Sequence, residues 1–529
     1  MAGDRTNKLF KGALILTFAG VLSKILSAGY RIPLQNLTGD VGFYIYQQVY
    51  PIVGMATVLA LYGFPSAISK LVGDLKGEGK EVSFPSFYVP IFFILLSVNG
   101  IFFLVLFLNA YKFAAWIGDS HLIASYKMAS FIFLFIPFVA LLRGVFQGNH
   151  DMQPTAYSQI GEQLVRVSII ILVAVCIGRG HGELYQIGQV ASVAAMAGLF
   201  VAFCILAIYF MKKKPIHLHT YRIPWRDYVK AIVMFGVVAS LNHMILLIIQ
   251  LADVFTLLPS LLEYGFTQMR AMQAKGVFDR GQPLIQLGAV LGSSFSLALI
   301  PNLSKHKWLT QPTVVYQQIE SGLKLSFYVA FGAMVGLIMI FPETNLLLFT
   351  DQQGTTSLRI LAVAVLLSSL GITTVSILQG LGFLKRTALF IGGAFIIKWL
   401  LNLLFVPLWG ITGSALATVL SLFSLCVITY VELKRKVPQL VLFKKINWRA
   451  ILVASGGMVL FIVFVQMIFP DALFVSRGRL FIRVCLIVLT GATVYLFLLI
   501  RLQAFTEREL NMFPYADLFI RIARGGNRK

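Results

Sequence analysis

The sequence predicts an all-α polytopic membrane protein, and three observations carry that prediction. Over 529 residues the chain is 58% hydrophobic and 12% charged, against about 45–50% apolar and about 25% charged in soluble globular domains. Apolar runs of about 20 residues, the length that crosses a ~30 Å hydrocarbon core as helix, recur fourteen times. Part of the pattern also returns 232 residues later. Period-2 alternation is absent from these runs, which excludes an outer-membrane barrel.

The runs lie near 10–32, 43–71, 87–110, 125–147, 154–178, 184–211, 228–258, 282–303, 319–341, 357–381, 386–407, 410–433, 448–469 and 480–501. The first is longer than the apolar core of a cleaved signal peptide, contains Lys24 and meets no small-residue cleavage site, so it is expected to stay as a span. Six runs precede a basic stretch at 212–230, six more precede another at 434–449, and two follow. The expected organisation is an N-lobe over 1–211, a basic loop and C-lobe over 212–433, and a second basic loop, trailing helix pair and basic tail over 434–529. The repeat relates the two lobes. Phe146-Gln147-Gly148, Thr155-Ala156, Gly161 and Arg166 return as Leu378-Gln379-Gly380, Thr387-Ala388, Gly393 and Lys398. At the same offset Pro51, Val58, Ile68 and Leu71 meet Pro283, Val290, Ile300 and Leu303. Duplicated bundles place a substrate path at the repeat interface, with access alternating as one lobe rocks against the other. That organisation predicts a transporter.

The net charge of +23 is concentrated in three clusters. Lys212, Lys213, Lys214, Arg222, Arg226 and Lys230 form one; Lys434, Arg435, Lys436, Lys444, Lys445 and Arg449 form the second; Arg508, Arg521, Arg524, Arg528 and Lys529 lie in the tail. With fourteen spans and an inward amino terminus all three fall on one side, as the positive-inside rule requires of a cytoplasmic face. This favours topology and anionic-lipid contact over nucleic-acid binding. Both termini are expected in the cytoplasm.

Loops are too short for a soluble catalytic domain, and Walker, HExxH and GxSxG motifs are absent; residues 73–80 form a turn with the wrong glycine spacing for a phosphate loop. The reading is a transporter rather than an enzyme, without metal or other cofactor, driven if at all by a coupling cation or the membrane potential. Cys176, Cys204, Cys426 and Cys485 lie in apolar runs without metal or disulfide spacing and read as small buried residues. Gly54, Gly63, Pro65, Pro137, Gly288, Gly292 and Pro301 punctuate the spans, marking either bends or close helix packing.

Ionisable side chains inside a bilayer cost several kcal/mol unless they face water or a partner, so they are the candidate functional residues. Lys24 and Arg31 are seven residues apart, two turns and ~10 Å along one helix face, a cationic stripe suited to an anionic head group; alternatively Arg31, before Pro33, snorkels to the interface. Asn242 and Asp253 share a face of the seventh span. Asp253 is expected to pair with a cation across a central cleft, to hold a coupling ion, or to form a structural salt bridge. His243 reads as a packed polar residue. Glu162 and Arg166 have the i,i+4 spacing of a self-neutralising pair, the simplest account; Arg166 repeats as Lys398, and the alternative is that both line one cavity. Arg143 reads as a cytoplasmic-end anchor. Arg270, Lys275, Asp279 and Arg280 precede Pro283, either as a solvated loop or as a cationic mouth that guides an anion outward.

The stretches Gly42-Phe43-Tyr44-Ile45-Tyr46, Tyr50-Pro51, Gly63-Phe64-Pro65-Ser66-Ala67-Ile68-Ser69-Lys70 and Ala298-Leu299-Ile300-Pro301-Asn302-Leu303-Ser304-Lys305 resemble the stage V sporulation protein B and polysaccharide biosynthesis group of the MOP (multidrug, oligosaccharidyl-lipid, polysaccharide) exporter superfamily, over nearly the whole chain. The resemblance implies a flippase for an undecaprenyl-pyrophosphate-linked sugar, lipid II or a related wall or polysaccharide precursor, in a bacterial plasma membrane. It also implies arginines lining a central cavity, of which Arg280 is the nearest match. Its Arg-to-Pro spacing is shorter than the family's, and the family's second-span arginine has no counterpart beside Gln47 and Gln48. Relatives of this kind leave a cation-coupled multidrug exporter as the alternative. A membrane glycan polymerase or ligase would carry a long outward loop, and the chain has none.

Overall fold

The computed structural model describes residues 2–213, 217–299, 310–468, 476–510 and 516–524, and every extended element among them is helical. Twelve helical stretches among the described residues are long and apolar enough to cross a membrane. The first, Phe18–Gly77, has 60 residues and contains two spans. Gly39 interrupts it at φ 70°, ψ −176°, a conformation that glycine alone adopts cheaply. The rings of Tyr30 and Tyr46 then meet at 6.0 Å, although 16 residues of straight helix would hold them ~24 Å apart. The chain therefore doubles back at Gly39. The run expected near 282–303 is the helix Gly281–Leu299; its end, with Ile300, Pro301 and the rest of that motif through Lys305, lies outside the described residues, as do Lys214, Arg528 and Lys529. Each of the fourteen apolar runs thus has its helix.

The repeat extends from residues to helix ends. Ile132–Gly148 and Ala364–Gly380 are displaced by 232 residues at both termini. Gln153–Gly178 and Leu384–Trp409 follow the same offset to within one residue. In both copies a Gln-Gly pair closes the earlier helix, and the later one carries the basic residue, Arg166 or Lys398.

The chain forms two compact units, one of Met1–Pro283 with Leu384–Ser414, the other of Leu284–Phe383 with Ala415–Lys529. In the first, Gly144 and Gly148, one turn apart, lie against Ile68 and Val72; a Cβ at either glycine would stand 2.5 and 2.6 Å from those side chains. Small residues four apart let two helices approach this closely. Gly63 faces the carbonyl of Gly236, and Gly54 faces Leu247. In the second unit Gly288 packs on Val365 and Gly292 on Ser369. Of the two readings open for Gly54, Gly63, Gly288 and Gly292, close packing is seen at all four. The trailing helices Trp448–Ile468 and Arg477–Arg501 join this second unit through a core that includes Tyr328, Ala454, Met458 and Tyr495. Their outer faces expose Leu452, Leu460, Leu486 and Leu489, the surface that lipid covers in a membrane-spanning helix.

Candidate functional site

All six candidate residues fall in the first unit, Asp253 with Lys398 in one cluster, Arg31 and Arg166 near the same tyrosines, and Lys24 and Arg280 elsewhere. The hairpin at Gly39 brings Tyr46 and Tyr50, one turn apart on the second span, against Tyr30 and Arg31. Arg31 is buried with its guanidinium 3.9 Å from the centroid of the Tyr50 ring, and the Tyr30 and Tyr46 hydroxyls are hydrogen-bonded to each other. Arg166, from the fifth span, is buried within electrostatic range of the same three tyrosines. Its guanidinium donates to Gln163 Oε1 and, at 3.4 Å, to Thr57 Oγ1; its Nε has no hydrogen-bond partner among the described residues. Arg31 and the three tyrosines thus form one cationic, aromatic cluster, and Arg166 lies within electrostatic range of them and of Glu162. Buried amides with unused atoms occur on the same spans: Gln47 and Gln48 on the second, Gln163 on the fifth.

The expected Glu162–Arg166 pair does not form. Glu162 instead accepts from Arg143 Nη2 at 2.9 Å, and Arg143, fully buried, also donates to Ser158 and the Ala60 carbonyl. Arg143 is therefore an interior ion pair rather than an interfacial anchor. The i,i+4 preference yields because a partner on another helix reaches the carboxylate in a place without competing water. Arg166 is left beside the tyrosines.

Lys398 and Arg166 occupy equivalent repeat positions in unlike surroundings. Lys398 Nζ lies 2.7 Å from Asp253 Oδ1 and donates to the Ser414 carbonyl and hydroxyl at 2.8 and 2.9 Å. Asn402 Nδ2 and Ser414 Oγ also donate to Asp253 Oδ1. Asp253 is thus in an ion pair, in a cluster drawn from the seventh span and the 384–414 segment, which both the cation-pairing and the structural salt-bridge readings describe. Its Oδ2 has no hydrogen-bond partner among the described residues.

Arg280 is fully buried and grips Asp40 with a fork, Nη2 at 2.6 and 2.7 Å and Nε at 2.9 Å. Lys275 and Asp279 form a second buried pair at 2.8 Å on the helix Gln268–Asp279. Burial pushes the Asp279 carboxyl, which lies between the seventh and eighth spans, up to about 6 although Lys275 pulls it down. A solvated loop is thus ruled out for these three residues; Arg270 alone is exposed, stacked at 4.5 Å on Phe266. Lys24 is exposed, one helix turn from buried Ala28, and close enough to His243 to influence it electrostatically. His243 itself stacks on Tyr62 at 4.8 Å, the packed role expected of it.

Asp40, Asn402, Ser414 and Tyr30 escaped the reading of the sequence, and Tyr46 and Tyr50 entered it as motif residues without a role in the site. Asp40 carried a signal, a carboxylate directly beside Gly39 at the head of an apolar run. The tyrosines gave none, since tyrosine is ordinary at membrane interfaces.

Residues 9–307 match the family model described as polysaccharide biosynthesis protein. The chain is 36% identical to the uncharacterized membrane protein YabM of Bacillus subtilis, over 99% of this chain and 98% of that one. It is 25% identical to the lipid II flippase MurJ of the same organism, over 81% and 83%. Among solved structures, a lipid II flippase MurJ in its inward closed conformation superposes with a TM-score of 0.63 at 14% identity, covering 93% of this chain and 99% of that chain, a likeness of fold.

Proposed function

This chain belongs to the polysaccharide biosynthesis protein family, multi-pass membrane transporters of the MOP superfamily, and we propose that it flips an undecaprenyl-pyrophosphate-linked sugar, lipid II or a related envelope precursor, across the bacterial plasma membrane by alternating access. The observation that carries this reading is how the buried cations divide. In the first unit Arg143, Lys275, Arg280 and Lys398 each have an acid in salt-bridge contact, Arg31 lies over the Tyr50 ring, and Arg166 is bonded to Gln163 and Thr57 with Tyr30, Glu162, Tyr46 and Tyr50 within electrostatic range. Guanidiniums are planar, always charged and able to grip phosphate oxygens with two donors at once, and two of them, Arg31 and Arg166, are buried here. Phenolic hydroxyls add neutral donors without adding repulsion. A polyprenyl tail would remain in lipid, and the unused amides of Gln47, Gln48 and Gln163 suit sugar hydroxyls. In this reading Arg31 and Arg166 bind the head group, and exposed Lys24 is an approach site. Arg280 and Lys398 hold the fold of the first unit with Asp40 and Asp253.

The test is leaflet translocation by purified protein in proteoliposomes, with several lipid-linked sugars that differ in sugar and in phosphate number. The proposal expects movement of pyrophosphate-linked sugars; transport of none of them refutes it.

A further inference from the structure

The clearest constellation outside the transport site lies where the turn after the second span meets the segment between the sixth and seventh. Glu81, His217 and His219 bring three ligand atoms within 4.8 Å of one another. His217 Nδ1 is 2.9 Å and His219 Nε2 is 4.0 Å from Glu81 Oε2. The arrangement is built by the backbone. Ser83 and His217 form a parallel β-bridge, Phe84 N–H donates to the His217 carbonyl at 2.8 Å, and Ser83 Oγ donates to the His219 carbonyl. Two residues on, the Ser86 hydroxyl donates to the Tyr221 carbonyl at 3.1 Å and accepts from its N–H at 3.0 Å. In an extended chain residues i and i+2 share a face, so His217 and His219 point together, their ring centroids 5.7 Å apart, and Leu218 between them is exposed.

We propose that Glu81, His217 and His219 bind a divalent transition-metal ion of the zinc class. Two imidazoles and one carboxylate without thiolate are a ligand set that zinc takes readily, with a fourth position left to water. Tetrahedral nitrogen and oxygen ligands stand about 3.3 Å apart when each bond is about 2.0–2.1 Å. The 2.9 Å separation must open slightly and the 4.0 Å one close, shifts that exposed side chains can make. Two of the basic residues nearby in the chain have acidic partners, Lys80 with Glu78 and Lys213 with Asp151. A bound ion would add a metal clip to the hydrogen bonds that already fasten residues 217–221 to 83–86.

The test uses the full-length chain purified in detergent on a histidine-free tag, titrated with Zn2+ against a chromophoric chelator. The proposal expects one bound equivalent, its loss in the His217→Ala/His219→Ala variant, and weakening of about tenfold or more in Glu81→Gln. Zn2+ should also slow tryptic cleavage at Arg222 in the parent chain and not in the double variant. A parent chain that binds no equivalent, or a double variant that binds Zn2+ as the parent does, overturns the site. These side chains are exposed, so the substitutions leave the packed helices intact, and the outcome is independent of what the protein transports.

Discussion

Lys398 and Asp253 form a 2.7 Å ion pair with both side chains buried, and Lys398 sits where the earlier repeat copy has Arg166. Removing one member of such a pair strands the other charge away from water, a loss of about 3–5 kcal/mol, whereas removing both is far less costly. Asp253→Asn and Lys398→Met should each lower thermal stability in detergent sharply, and the double variant should recover most of the loss. A double variant destabilised by the sum of the two single losses would show that the two residues act independently.

The Arg280–Asp40 fork predicts an unequal effect of two conservative changes. Arg280→Lys keeps the charge and loses the bidentate geometry, costing about 1–3 kcal/mol. Asp40→Asn leaves a fully buried guanidinium facing a neutral amide and should cost more. Chemical or thermal unfolding of the two variants ranks them directly.

Close packing at Gly144 and Gly148 predicts that a side chain there forces the 132–148 helix off Ile68 and Val72. Gly144→Val should destabilise by about 1–3 kcal/mol. Gly392, with open space around its Cβ direction, should accept Ala with little change in the same melting assay.

Topology rests on charge alone, and we predict that residues 212–230 and 434–449 face the cytoplasm. In a variant whose four native cysteines are replaced by serine, Cys substituted at Lys213 or Lys436 should resist an impermeant thiol reagent in intact cells and react after permeabilisation. Ready labelling in intact cells would invert the orientation.

Much of the fold was legible because span length and hydropathy are imposed by the bilayer on each helix separately. The repeat was legible for a similar reason: Gln147-Gly148 and Gln379-Gly380 mark the same helix end twice. Partner choice among charges was not. Spacing along one helix suggested Glu162 for Arg166, but the carboxylate turned to Arg143 on a neighbouring helix, a choice made by packing between elements distant in sequence. Likewise a solvated loop and a buried helix with two ion pairs look alike at 268–280, because alternating charges lower the hydropathy of both. The turn at Gly39 falls in the gap between the runs at 10–32 and 43–71, but the convergence of Tyr30, Tyr46 and Tyr50 on Arg31 across it was hidden, since it depends on how the two helices pack.

The central claim, that Arg31 and Arg166 hold a lipid-linked pyrophosphate, is tested most directly by translocation of one such fluorescent lipid in proteoliposomes carrying Arg31→Gln, Arg166→Gln, Arg31→Lys or Arg166→Lys protein at matched, folded amounts. The account predicts at least about a tenfold loss for each glutamine variant, since a charge-assisted contact is worth about 1.5–3 kcal/mol, with partial activity in the lysine variants and no change in efflux of cationic drugs. Glutamine variants that translocate the lipid at the parent rate, or that lose cation-drug efflux instead, would contradict it and favour the multidrug exporter.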